Sequence, residues 1–119
     1  MAEYTRFTNL EVTGELKGSA IKGILSGVLQ GISLSKSNNY SLEDAEKVAY
    51  VGVTLSAASK TLTLGLPNNA VCIVVNEGGS NAFTLKNVSG DSGTSIAAGK
   101  VALVRASTTA NGSKVYVLN

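Results

Sequence analysis

The chain has no histidine, no tryptophan, one proline and one cysteine. Each shortage removes a class of chemistry. Without histidine, the usual base for an activated serine or cysteine is missing. With no histidine and only Cys72, the ligand sets of zinc and other transition metals cannot be assembled, and neither an internal disulfide nor a redox pair can form. Cys72 lies inside "AVCIVVN", a setting for a small buried hydrophobe and not for a reactive thiol. A hard-cation site stays open in principle, but Asp44 and Asp91 are the only aspartates, and neither belongs to an alternating acidic loop of the kind that binds calcium. No catalytic residue, metal or cofactor is expected.

Charge and long apolar runs are scarce too. Ten Lys and Arg against eight Asp and Glu leave a net +2, and the basic residues are scattered singly. That pattern gives no footprint for nucleic acid, and no aromatics interleave it to form a stacking platform. The longest apolar stretch, residues 21–34, is too short and too polar to cross a membrane. The opening "MAEYTRFTNL" lacks the apolar centre of a signal peptide. No nucleic acid and no membrane is expected as a partner.

One stretch imitates chemistry twice. "NVSGDSGTSIAAGK", residues 87–100, contains the Gly90-Asp91-Ser92-Gly93 sequence that surrounds a serine-protease nucleophile, and Gly93 to Lys100 resembles a phosphate-binding loop. The first likeness lacks the base; only an unusual Ser–Lys pair would make a hydrolase of it. The second has five residues between Gly93 and Gly99 where that loop needs four, and Val101 follows Lys100 where it needs Ser or Thr. Residues 87–98 are read as a loop between strands, with Gly, Ser, Asp and Asn supplying positive φ and local side-chain caps.

What the chain does have is alternation. "KTLTLGL" (60–66) sets Leu62, Leu64 and Leu66 against Thr61, Thr63 and Gly65, the period of a strand with one wet face. "KVAYVGVTL" (47–55) puts Val51, Val53 and Leu55 in phase, and "AFTLKNV" (82–88) does the same with Phe83 and Leu85. "AVCIVVN" (70–76) is apolar on both faces, which reads as a central or interface-covered strand. "EGGSN" (77–81) follows it as a hairpin loop. "GKVALVRAS" (99–107), the turn "TTANG" and "SKVYVLN" (113–119) close the chain. "SLEDAEK" suits one helical turn capped by Ser41, with Asp44 three residues on. Turn signals about every ten residues suit a sandwich or small barrel.

The first 40 residues differ. Leu10, Val12 and Leu16 alternate in "NLEVTGELKG". In "AIKGILSGVLQGISLS", Ile21, Ile24, Leu25, Val28, Leu29 and Ile32 fit a helical stripe, but Gly23, Gly27 and Gly31 interrupt it. Three interior glycines cost a helix about 3 kcal/mol against alanine; an extended four-residue repeat avoids that cost. Residues 20–34 are therefore helical or extended, with the extended form preferred. Such an arm either lies across its own sheet or pairs with arms of other copies about a three-fold axis. The fold expected is mainly β: a small antiparallel β-sandwich or barrel over residues 41–119, preceded by an extended N-terminal arm, residues 1–40, for trimerisation and attachment.

Two segments carry a resemblance. "NLEVTGELKG" resembles the Val-Thr-Gly-x-Leu segments near the start of trimeric phage fibre and head-decoration proteins. Residues 74–84, 86–95, 98–103 and 110–118 resemble the C-terminal domain of tailed-phage head fibre or capsid decoration (cement) proteins. These segments contain "VVNEGGSNAFT", "KNVSGDSGTS", "AGKVAL" and "ANGSKVYVL". The resemblance implies a structural virion protein and no enzyme: a homotrimer on the outer surface of a phage head, bound to the major capsid protein and reinforcing contacts between its subunits. It covers roughly the last 60 residues well and the arm loosely. Leu10, Val12 and Leu16 would then form the trimer interface. Tyr4, Arg6 and Phe7, aromatic and arginine types that favour interfaces, would contact the capsid, although a frayed terminus is the plain alternative. The competing function is a trimeric receptor- or carbohydrate-binding tip of a tail fibre. It shares the architecture but lacks an aromatic residue in the loops 77–81, 87–98 and 107–113.

Overall fold

The computed structural model describes residues 31–118. Tyr4, Arg6, Phe7, Leu10, Val12 and Leu16 lie outside the described residues, as does the glycine-spaced stretch up to Gln30.

Among the described residues nine strands follow one another: β1 (Gly31–Lys36), β2 (Tyr40–Ser41), β3 (Tyr50–Leu55), β4 (Lys60–Thr63), β5 (Val71–Asn76), β6 (Phe83–Lys86), β7 (Thr94–Ile96), β8 (Val101–Arg105) and β9 (Lys114–Leu118). They form a five-stranded sheet, β1-β3-β5-β8-β9, and a four-stranded sheet, β2-β4-β6-β7. The alternation seen in the sequence sets which residues turn inward. Val51, Val53, Leu55, Cys72, Val74, Ala102 and Val104 come from the first sheet, and Leu62, Phe83, Leu85 and Ile96 from the second; all are buried in one core. Each large side chain so buried is worth about 1.5–3 kcal/mol over exposure. Leu64 and Leu66 continue the phase of β4 past its last paired residue and are buried as well.

The fold is mainly β, but the sheets are mixed where antiparallel pairing was expected. β1, β3 and β5 run parallel, and so do β2, β4 and β6. Among the described residues only β5–β8, β6–β7 and β8–β9 are antiparallel. From β1 to β6 the chain visits the two sheets in turn, so β1–β2, β3–β4 and β5–β6 are successive coils of one winding. Tyr50 pairs with Ile73, and Lys60 with Phe83, by the same step along the chain, as stacked repeats require.

The expected hairpin at residues 77–81 is the point of departure. β5 and β6 are not neighbours; the chain crosses between sheets there. Asn76 fixes the crossing. Its buried side-chain amide donates to the carbonyls of Asn81 (2.8 Å) and Ile96 (2.9 Å), and its Oδ1 accepts the Gly78 N–H at 3.0 Å. The crossing delivers Phe83 and Leu85 to the core from the opposite layer.

Three smaller differences follow. Residues 31–36, within the stretch expected as arm, form β1 and pair with β3 along their length; this part of 20–34 is extended. The helical turn begins later than expected, as a 3-10 turn at Asp44–Glu46, because Ser41 is held in β2 opposite Thr63. The loop read over 87–98 contains β7, paired with β6.

Candidate functional site

The Gly90-Asp91-Ser92-Gly93 stretch forms a latch. The Asp91 side chain is buried, and its carboxylate accepts three backbone N–H groups: Asn111 at 2.6 Å on Oδ1, and Asn87 at 2.9 Å and Val88 at 3.1 Å on Oδ2. Burial pushes its pKa up. The N–H groups of Asn111, Asn87 and Val88, with the Lys86 charge, outweigh that and hold it below the ordinary aspartate value. The Ser92 N–H donates to Asn111 Oδ1 at 2.7 Å, while its side chain is exposed and among the described residues has no hydrogen-bond partner. Gly93 sits at φ +87°, and a side chain there would meet the Thr84 methyl group. Asn87 completes the latch: its buried amide bonds Leu66 N–H and the carbonyls of Leu66 and Ser107. A cleft of about 180 Å³ opens beside it, with Leu64, Leu85, Val104 and Val115 in its lining and Ser92 and Asn111 among its polar groups. Residues 94–96, which the phosphate-loop likeness needs as free turn, are spent in β7.

Two other groups have chemistry of their own. The Cys72 thiol is buried, donates weakly to the Val48 and Ile73 carbonyls, and is pushed up to about 11 by burial. The Tyr40 hydroxyl donates to Glu46 Oε1 at 2.6 Å; that bond, with burial and the Glu46 and Glu43 charges, raises its pKa to about 12.

Exposed apolar side chains also gather on one sheet face. On the outer side of the five-stranded sheet, Tyr50, Ile73, Leu103 and Tyr116 are register partners and form one row across four strands. Val71 lies one row below and Leu118 one row above. All six are exposed, Val71 at 64%, Tyr116 at 60% and Leu118 at 52%. The outer side of the four-stranded sheet is opposite in character: Thr61, Thr63, Thr84, Lys86 and Ser95 occupy it. One chain thus builds a wet sheet face by ordinary alternation and leaves the other apolar, the pattern that marks a contact surface.

No family model, curated protein or solved structure matches this chain.

The expected site residues and this surface do not overlap. The expected capsid contacts Tyr4, Arg6 and Phe7, and the expected trimer contacts Leu10, Val12 and Leu16, lie outside the described residues. The outer row was not singled out in the sequence, though a signal for it existed: "AVCIVVN" is apolar on both faces, and β5 is indeed central in its sheet, with Val71 and Ile73 turned outward.

Proposed function

We propose that this chain is a structural virion protein: a homotrimeric decoration or head fibre protein on the outer surface of a phage capsid. In this role it reinforces contacts between capsid subunits, and its chemistry is adhesion, not turnover. The observation that carries the proposal is the exposed row Tyr50, Ile73, Leu103 and Tyr116, a surface that calls for a protein partner. The resemblance of the last 60 residues to phage head fibre and decoration proteins supplies the setting. Several copies acting together turn weak contacts into firm attachment through effective concentration. Leu10, Val12 and Leu16 are proposed as trimer contacts, and Tyr4, Arg6 and Phe7 as the capsid anchor.

One observation favours the alternative, a receptor- or carbohydrate-binding fibre tip. Tyr50 and Tyr116 are exposed on one face, and sugars stack on such rings. Their row neighbours Ile73 and Leu103 offer a sugar no hydrogen bonds, which weakens it. The test is to mix the purified protein with undecorated heads and examine them by electron microscopy. Regular density at three-fold or quasi-three-fold positions is expected. Bare heads, with binding to cell-wall glycans instead, would replace this reading by the alternative.

A further inference from the structure

We propose that the outer face of the five-stranded sheet is where each copy of this chain meets the next, in a closed head-to-tail ring. The number of copies in that ring, three, rests on the reading above; the face itself rests on the following geometry.

The apolar row does not stand alone. Opposite corners of the face carry opposite charge. At the corner where β1 and β3 meet, the Glu77 carboxylate lies against Gly52 and accepts the Ser33 and Tyr50 hydroxyls at 3.4 Å each. Gly52 makes this possible, because a side chain there would occupy the place of the carboxylate. At the far corner, Arg105 and Lys114 are cross-strand partners on β8 and β9, level with Val71 at the start of β5. Glu77 follows the last residue of β5, so the two corners are separated by about 20 Å along the strands at 3.3 Å per residue. The row Tyr50, Ile73, Leu103, Tyr116 runs between them.

Turned toward the axis of a ring, this face offers two different patches, the Glu77 corner beside β1 and β3 and the Arg105–Lys114 corner on β8 and β9, as a head-to-tail contact requires. Repeating one rotation sets Glu77 of each copy beside Arg105 and Lys114 of the next, and the ring closes without leaving either corner unpaired. The apolar row supplies the buried centre and the charges set register and exclude misaligned contacts. The four-stranded sheet has the same fold neighbours but neither an apolar row nor this charge division, so it has no comparable claim.

The test uses the full chain. Wild type is expected to scatter light as three copies. Ile73 is already exposed on the outer face, so Ile73→Lys is expected to weaken association at least tenfold with an unchanged strand spectrum. Glu77→Lys is expected to weaken association at least tenfold, and Glu77→Lys combined with Arg105→Glu and Lys114→Glu to restore it. Should a variant fail to fold, wild type decides the matter. A zero-length carbodiimide on a mixture of isotope-labelled and unlabelled chains is expected to join Glu77 of one copy to Lys114 of another. Association unweakened by Ile73→Lys, an assembly without that link, or a monomeric wild type overturns the proposal, whereas a linked ring of another size overturns only the reading of three copies. A linked trimer that leaves heads bare overturns the virion reading and leaves this face standing.

Discussion

The Asp91 carboxylate accepts the Asn111 backbone N–H at 2.6 Å and so ties the β6–β7 connection to the β8–β9 turn. A sequence that imitates a nucleophile serves as a tether between two loops. The tether sets the first two predictions.

Asp91→Asn is expected to cost about 2 kcal/mol at pH 7, because the amide turns a donor toward backbone N–H groups that lose their acceptor. The pH dependence has a definite sign. The folded pKa lies below the unfolded one, so the charged carboxylate stabilises at neutral pH. That contribution falls as pH drops below about 3.9 and is gone beneath the folded value. Urea unfolding of both proteins at pH 7 and pH 3 checks this; a gap between them that does not narrow at the lower pH counts against it.

Ser92→Ala is expected to change stability by less than about 0.5 kcal/mol, as an exposed side chain should, and to leave head binding intact. Gly93→Val should cost about 2 kcal/mol or more, since φ +87° strains a branched residue and the Thr84 methyl blocks it. Melting curves order the two. Stoichiometric capture of Ser92 by a fluorophosphonate would contradict the tether role.

Cys72 should resist thiol reagents while the protein is folded. A thiol pushed up from 9.0 to about 11 carries about a hundredfold less thiolate at a given pH, and burial adds a barrier of access. Labelling with a disulfide reagent at pH 8, native beside urea-unfolded, measures it. Equal rates would mean that the β5 region opens readily.

Tyr40 should ionise near pH 12, well after an ordinary tyrosine, because Glu46 holds its proton. Ultraviolet titration of wild type against Tyr40→Phe isolates the group. Glu46→Gln should bring the transition down toward pH 10. A Tyr40 that titrates near pH 10 in the wild type would show the bond absent in solution.

Removing residues 1–8 should leave a folded β protein that no longer binds heads, if Tyr4, Arg6 and Phe7 form the anchor. Loss of one such anchor typically costs about 2 kcal/mol or more, repeated in each copy. Pelleting with undecorated heads reads it directly, and equal occupancy for both proteins would move attachment elsewhere.

Strand phase was legible in the chain. Leu62, Leu64 and Leu66, then Val51, Val53 and Leu55, then Phe83 and Leu85 are buried in the alternation their spacing implies. Partner choice was not legible. "EGGSN" has the chemistry of a hairpin, yet the same small residues serve a crossing between layers, and only Asn76 with its three backbone bonds distinguishes the two. Parallel pairing also needs no local signal, because its partners are a whole coil apart. The role of Asp91 was hidden for a related reason: two of its three partners, Asn87 and Val88, are local, but Asn111 arrives from a different turn. The outer row was half visible, as an excess of apolar residues in β5 whose second face had no assigned cover.

The contrast between the two sheets also decides where this protein can be written upon. If Tyr50, Ile73, Leu103 and Tyr116 are occupied by neighbours, the outside world meets Thr61, Thr63, Thr84, Lys86 and Ser95 instead. Glycosylation sequences, epitopes or affinity tags belong on that side.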